Sequence, residues 1–267
     1  RAGEDTFSFD LHTGSLTGWT SGSEELLEGE LEPYFWKPAN ENQRKNGYER
    51  RLGDWKNAAQ ECIVTGHYAE VRDGLAKVCF DLEMSVGAAC RLEYVFNGKG
   101  EIQVKMDYRP LKDGLQLIPK IGMRMRIPAE YSQVNWYGRG PHENYPDRKS
   151  GYFIGQYSMP LDEFIFDYAS PQDNANRCDT RWFSLGNGSR DIEIHGLQEL
   201  NFRAWPYGEE DLEGSAHPFD IPARDFINVN IDFKIHGVGG NDGWGARTMD
   251  AYTIDPAQPY SFGFIIR

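Results

Sequence analysis

Residues 227–236 read Ile-Asn-Val-Asn-Ile-Asp-Phe-Lys-Ile-His and alternate apolar and polar without a break. Ile227, Val229, Ile231, Phe233 and Ile235 fall on one side, and Asn228, Asn230, Asp232, Lys234 and His236 on the other. Successive side chains of a strand point to opposite faces, so the stretch predicts a half-buried strand of an antiparallel sheet. Residues 92–96 and 101–108 flank Asn97-Gly-Lys-Gly100 and predict a hairpin. Ile121, Met123, Met125 and Ile127 alternate with Gly122, Arg124 and Arg126 in a further strand. Residues 7–11, 75–84, 191–195 and 260–266 add others.

Helical periodicity is scarce. Residues 49–59 predict one short helix and 161–164 a single turn. Two long segments, 32–55 and 137–182, do not alternate. Irregular segments of that length in a compact chain usually carry function or form interfaces. Many strands separated by Gly, Pro and Asn turns predict an all-β sandwich or barrel. With no low-complexity linker and no short repeat, residues 1–267 are expected to form one domain.

Charge narrows the partners. The formal net charge is −13, which argues against nucleic acid and anionic lipid, since both need a basic face. No apolar run is long enough to cross a bilayer and no early stretch reads as a signal peptide. The chain is expected to be soluble and, starting at Arg1, to be cut from a longer one. Cys62, Cys79, Cys90 and Cys178 show no CxxC spacing, which disfavours a zinc ribbon or a thioredoxin-type site. They are expected to be free, mostly buried thiols, a Cys79–Cys90 bridge being the alternative. Aromatic residues, 13% of the chain, favour strands and are also what sugar-binding proteins use.

The stretch 235–246 holds five glycines in twelve residues, with Trp244 among them. Glycine is costly to order, so such a loop needs either a buried anchor or an aromatic surface offered outward. Gly237-x-Gly239 begins like a dinucleotide fingerprint, but Asp242 stands at the third glycine position and no helical pattern follows to aim at a phosphate. The six histidines lie far apart, and Asn241-Asp242 lacks EF-hand spacing, so those two read first as local turn caps. No GxSxG elbow is present, and a glycosidase carboxylate pair has no mark in sequence. Trp136-Tyr-Gly-Arg-Gly-Pro-His-Glu-Asn-Tyr-Pro-Asp-Arg148 reads first as a rigid loop. Pro141 and Pro146 fix φ, while Arg139 and Arg148 are placed to bind Glu143 or Asp147. Residues 168–182 are equally polar and non-periodic, a candidate second loop interlocked with it.

Taken together these segments resemble a known family. Tyr137-Gly-x-Gly-Pro-x-Glu-Asn-Tyr-Pro-Asp-Arg148 is similar to the signature of the C-terminal small-chain domain of large bacterial β-galactosidases in glycoside hydrolase family 2. Pro171-Gln-Asp-Asn-Ala-Asn-Arg-Cys-Asp-Thr-Arg181 resembles that domain's next motif, with Ala175 where a glycine is common. His236-Gly-Val-Gly-Gly-Asn-Asp-Gly-Trp-Gly245 resembles its last. Tyr34-Phe-Trp-Lys-Pro-Ala-Asn-Glu-Asn-Gln43 resembles an early loop of the family and departs from it at Lys37, Asn40, Glu41 and Asn42. The match runs from about residue 7 to 267 with the motifs in order.

The resemblance implies a large antiparallel β-supersandwich similar to galactose mutarotase. It also implies that the catalytic glutamates lie in a TIM barrel upstream. Such a barrel needs about 200 residues or more of alternating strand and helix, a pattern this chain lacks. Hydrolysis by this chain alone is therefore not expected. In the family, the tryptophan of the last motif forms one wall of the galactoside pocket across the domain boundary, and Trp244 is the matching residue. Asn241, Asp242 and His236 are secondary candidates for substrate binding. Arg139, Glu143, Asn144, Tyr145, Asp147, Arg148, Arg177 and Arg181 are expected to hold the motif loops. No metal or cofactor is implied for this domain. The partners implied are the barrel, other parts of the parent chain and a galactoside, with no nucleic acid and no membrane. A homo-oligomeric parent fits, and both bacterial cytoplasm and periplasm stay open. Two further readings are an independent sugar-binding module and an aldose-1-epimerase-like enzyme. The latter needs a histidine and a glutamate flanking the sugar ring, and the sequence alone places no histidine beside a glutamate.

Overall fold

The computed structural model describes residues 5–267. Its strands are β1 (Asp5–Phe9), β2 (Leu16–Ser21), β3 (Glu24–Glu25), β4 (Glu32–Tyr34), β5 (Ile63–Arg72), β6 (Leu75–Met84), β7 (Ala88–Phe96) and β8 (Ile102–Pro110). They continue with β9 (Lys120–Pro128), β10 (Gln133–Gly140), β11 (Phe153–Pro160), β12 (Arg177–Gly186), β13 (Asp191–Trp205), β14 (Phe226–Ile235) and β15 (Tyr260–Ile266). The helices are short: α1 (Glu41–Lys45), α2 (Tyr48–Leu52), α3 (Leu161–Phe164) and α4 (Glu209–Gly214).

β13 organises the molecule. Along one side it pairs with β12; along the other, residues 194–196 pair with β15 and residues 201–205 with β14. The sheet therefore splits there. One path runs β15-β8-β7-β6-β5 and the other β14-β9-β4, giving 12 strands in all. Every pairing in it is antiparallel, as the alternation predicts. One apolar core takes Ile121, Met123 and Met125 of β9 and Ile227, Val229 and Ile231 of β14 from one path. From the other it takes Leu92 and Tyr94 of β7, Val104 of β8 and Phe264 of β15. The separate β1-β2-β3 sheet packs on this core, with the Phe7 and Phe96 ring centroids 4.5 Å apart and those of Phe9 and Tyr94 5.0 Å apart.

Three expectations need correction. β14 is not half-buried: Asn228, Asn230 and Asp232 on its polar face are as enclosed as the isoleucines opposite. The reason is position, because β14 lies inside its path and Glu209 of α4 reaches over that face to bond Asn228 and Asn230. The single helix expected over 49–59 is instead α2 followed by a 3₁₀ turn at Gly53–Trp55, with α1 preceding it. Segment 137–182 begins and ends in strands and contains β11, an edge strand exposed on both faces, which blurs its alternation. The cysteines are free and mostly buried, as expected; Cys79 faces Glu93 across the β6–β7 pair and Cys90 faces Leu82, so the two thiols of the alternative bridge are not cross-strand neighbours. Among the described residues no helix is long and apolar enough to cross a membrane.

Candidate functional site

The motif loops converge on one corner of the fold. Loop 141–149 folds against loop 171–176 through two side chains. Glu143 accepts from Arg148 Nη2 (2.6 Å), from Ala175 N (2.8 Å) and from the Tyr168 hydroxyl. Asn144 N donates to Asn176 O, and Asn144 Oδ1 accepts from Cys178 N, both at 2.8 Å. Arg177 is fully buried and donates to three carbonyls, Pro141 and Ala175 at 2.9 Å and Phe164 at 3.2 Å. Burial lowers its pKa to about 10. Tyr145 is buried beneath the Arg148 guanidinium. Arg181 pairs with Glu199.

The expected arginine pairings hold for one residue. Arg148 binds Glu143, but Arg139 binds Asp179, which Lys149 also holds at 2.6 Å. Asp147 binds no arginine among the described residues. It faces two free backbone donors of the glycine loop and accepts from Val238 N (3.1 Å) and Gly239 N (2.6 Å). That approach explains one glycine, since a Cβ on Gly237 would stand 2.6 Å from Asp147 Oδ2.

From the other side, the early loop grips the glycine loop. Asn40 Nδ2 donates to Val238 O (2.7 Å) and Gln43 Nε2 to Gly237 O (3.1 Å). Asn42 takes both ends of the turn, donating to Ala246 O and accepting from Gly245 N at 2.9 Å each. Asp242 Oδ1 caps the turn by accepting from Trp244 N (2.8 Å) and Ala246 N (3.3 Å). Gly245 has φ 109°, a conformation closed to other residues. The backbone around Trp244 is tied on both sides while its ring is 85% exposed, with Lys45 Nζ 5.3 Å from the ring centroid. Asn241 and Asp242 are exposed beside it. His236 is not at that surface: it is buried under the loop, donates from Nδ1 to Gly237 O (2.8 Å) and meets the Tyr48 ring edge-on. Burial lowers its pKa to about 4.

Beneath this corner lies an ionic floor on the polar face of β14 and its neighbours. Lys37, Lys120, Arg203, Asp173, Asp232 and Glu209 have 0–1% exposed side chains. Lys120 pairs with Asp232 at 2.9 Å, Lys37 lies 3.6 Å from Asp173, and Arg203 contacts Asp173 and approaches Glu209 at 3.6 Å. Arg124, itself paired with Glu32, adds a 2.9 Å contact to Glu209. Burial alone would raise the Glu209 pKa, but Arg124, Arg203 and Lys120 hold it at about 2. Burial lowers Lys120 to about 8. The floor connects upward, because Lys37 Nζ donates to Gln43 Oε1 (3.0 Å) and Gln43 reaches Gly237.

The structure also pairs a histidine with a glutamate. His195 and Glu193 meet at 2.8 Å, two residues apart on β13 and both partly exposed. Bonded to each other, they do not stand on opposite sides of a sugar-sized cleft, as epimerase chemistry requires.

A family model described as Beta galactosidase small chain matches residues 1–266. The chain belongs to that family. Among curated proteins it is similar to a beta-galactosidase of Priestia megaterium, 30% identical over 98% of this chain and 25% of that protein. A beta-galactosidase of Halalkalibacterium halodurans is 29% identical over 99% of this chain and 27% of that protein. The chain thus spans about a quarter of the length of the curated relatives it matches. Among solved structures, galactose 1-epimerase from Lactobacillus acidophilus aligns over 100% of this chain and 92% of that one, with TM-score 0.54 at 7% identity. At that identity the likeness is one of fold, and it is the mutarotase-like fold expected.

In this small-chain protein several residues that hold the site escaped the reading of the sequence. Asn40 and Gln43 form a capping box, with Gln43 N donating to Asn40 Oδ1 (2.8 Å) and Asn40 N to Gln43 Oε1 (3.1 Å). The Asn-x-x-Gln spacing was a legible sign of a helix start there. Asp173 and Asp179 stand inside the second motif, but nothing in its pattern set them apart from its other polar residues. Ala175 sits at φ 65°, where the family often has glycine. Relief of left-handed strain by Ala175→Gly, about 1–2 kcal/mol, is offset by the freer unfolded chain and the lost buried methyl, so stability should stay within about 0.5 kcal/mol of wild type. Ala175→Val should lose about 2 kcal/mol, since a β-branched residue fits that region poorly. Urea midpoints would check both, and a Val variant as stable as Gly would refute the account.

Proposed function

We propose that this chain is a non-catalytic domain of a β-galactosidase. It packs against the catalytic barrel of the parent polypeptide and presents Trp244 as one wall of the galactoside pocket. The supporting observation is the combination at Trp244: an 85% exposed ring on a backbone pinned by Asn42, Asp242 and Asp147. A large aromatic left in water is costly unless something covers it, and a fixed backbone lowers the entropy lost when it is covered. An indole face suits the apolar face of a pyranose, which needs water excluded more than it needs hydrogen bonds. His236, Gln43 and the ionic floor act beneath it as support. Asn241 and Asp242 shape the turn.

Trp244→Ala in the polypeptide that carries the barrel tests this. Losing an indole contact of about 2–3 kcal/mol should lower kcat/KM for a nitrophenyl β-galactoside by roughly 30- to 150-fold, with Trp244→Phe in between. Unchanged kinetics with an unchanged melting temperature would remove Trp244 from the pocket. The 267-residue chain alone should leave the same substrate intact.

A further inference from the structure

Next to Trp244 lies an open cleft of about 870 Å³, within the range of about 300–1,000 Å³ usual for small-molecule sites. Gly245 and Arg247, just past the tryptophan, line it. Its charge is opposite to that of the chain, whose formal net charge is −13. Arg44, Lys45, Arg50 and Arg247 line the cleft, against two carboxylates, Glu49 and Glu213. Glu213 is already engaged by Lys56 (2.7 Å) and by the Trp36 indole N–H (2.8 Å).

None of the four cations has a carboxylate partner among the described residues. Arg44 donates only to neutral oxygens, of Ser170 and Pro171. Lys45 rests over the Trp244 ring. Arg50 and Arg247 are exposed and hold no ion pair. Crowding is felt next door: the pKa of Arg51 is pushed down by burial and then by Arg247 and Arg50. Most described arginines elsewhere in this acidic chain are paired with a carboxylate, among them Arg91, Arg124, Arg126, Arg148 and Arg224. Four cations without carboxylate partners stand together beside an exposed aromatic, a surface whose field favours an anion.

We propose that this cleft binds an anionic substituent, a carboxylate or sulfate, on the sugar adjoining the galactosyl residue that covers Trp244. The inference rests on the reading of Trp244 as a galactoside wall and deepens it into a substrate class, acidic β-galactosides. The cleft adjoins the ring, because Lys45, one of its lining residues, lies 5.3 Å from the Trp244 ring centroid and Gly245 lines it too. Arginine forks match carboxylate and sulfate oxygens, and charge-assisted hydrogen bonds are about twice as strong as neutral ones. No existing ion pair must be broken first. Asn46 and Ser215 in the same lining offer partners for hydroxyls.

Lactobionate and lactitol provide the test. Both are β-galactosides, and they differ by a carboxylate against a hydroxymethyl group. Every lining residue belongs to this chain, so the chain itself is the sample, titrated by calorimetry at low ionic strength. Lactobionate should bind about tenfold or more tightly than lactitol, with the preference shrinking in salt. In the double variant Arg50→Gln/Arg247→Gln the preference should fall to near unity. Equal binding of the two probes, no binding of either, or a preference that survives the double substitution would each overturn the proposal. Trp244→Ala separates the two readings. If it weakens both probes while wild type shows no preference, the wall reading stands and the anion cleft falls. If it changes neither while the arginine variant abolishes a preference, the cleft stands and the wall falls. If an acidic segment of the parent polypeptide is the true occupant, the preference seen with this chain should vanish in the polypeptide that carries the barrel, and the proposal falls.

Discussion

Replacing Arg203 by Met should destabilise the chain by about 3–5 kcal/mol, the usual result of removing one partner from a buried ionic group. The side chain is fully enclosed, contacts Asp173, lies 3.6 Å from Glu209 Oε1 and covers the Trp205 ring at 4.2 Å. The contact to Glu209 is too long for a hydrogen bond but close enough for strong attraction in a low-dielectric interior. Met fills comparable volume, so the loss is electrostatic: two carboxylates remain with fewer cations, and neither has water to turn to. Lys37 still faces Asp173, and Arg124 and Lys120 still face Glu209, which is why the network should weaken rather than collapse. Denaturant unfolding should show a lower midpoint with an unchanged slope. Adding Asp173→Asn to Arg203→Met should recover part of the loss, because it removes a buried carboxylate left with only Lys37, 3.6 Å away, to balance it. A single variant within 1 kcal/mol of wild type, roughly the spread of an ordinary surface change, would mean the floor is wetter than its geometry indicates.

This floor marks where the sequence stopped being legible. Alternation over 227–236 correctly grouped Ile227, Val229 and Ile231 on the core side. It could not say that the opposite side meets protein instead of water. That depends on Lys37, Asp173, Arg203 and Glu209, which arrive from segments far away in sequence. Periodicity reports which side chains share a face, not what covers the face. The motif loops were legible in kind, and Arg148 with Glu143 was legible in detail. Arg139 was not, because Asp147 and Asp179 are equally suitable by type, and only the fold turns Asp147 toward the Val238 and Gly239 amides. The exposure of Trp244 follows from its turn being pinned at Asn42, a residue that sequence pattern alone did not single out.

The two halves of the corner make different demands. Trp244 and the cationic cleft are surface features open to a ligand. The loops under them are tied within the chain by hydrogen bonds of Glu143, Asn144, Asp147 and Arg177. Rigidity below allows exposure above. An aromatic ring and unpaired arginines held in water give up little further freedom on binding only if their backbone is fixed beforehand.

His236 ties that rigidity to pH. Its imidazole is 3% exposed, and its pKa lies at about 4 against an ordinary 6.5. Burial is the main cause, and the nearby Lys37 and Arg51 charges add to it while the Gly237 carbonyl and Asp147 oppose. Below pH 6.5 the unfolded chain takes up a proton that the folded chain refuses. The stabilising effect of the neutral ring is therefore complete above pH 6.5 and lost as pH falls toward 4. A shift of 2.5 units (6.5 minus 4) at 1.36 kcal/mol each makes this about 3 kcal/mol. Other groups titrate in the same range. Asp232 and Glu32, whose pKa values burial raises, act in the opposite direction because their folded forms take up protons more readily. The measurement is thus a difference. Unfolding free energies of wild type and His236→Gln, followed from pH 7.5 to 4.5, should converge as pH falls, because only wild type carries the histidine. Glutamine keeps a donor for Gly237 O but cannot titrate. Parallel curves for the two proteins would show that His236 is not held neutral, and the support assigned to it beneath Trp244 would have to come from Gln43 and Asn42 alone.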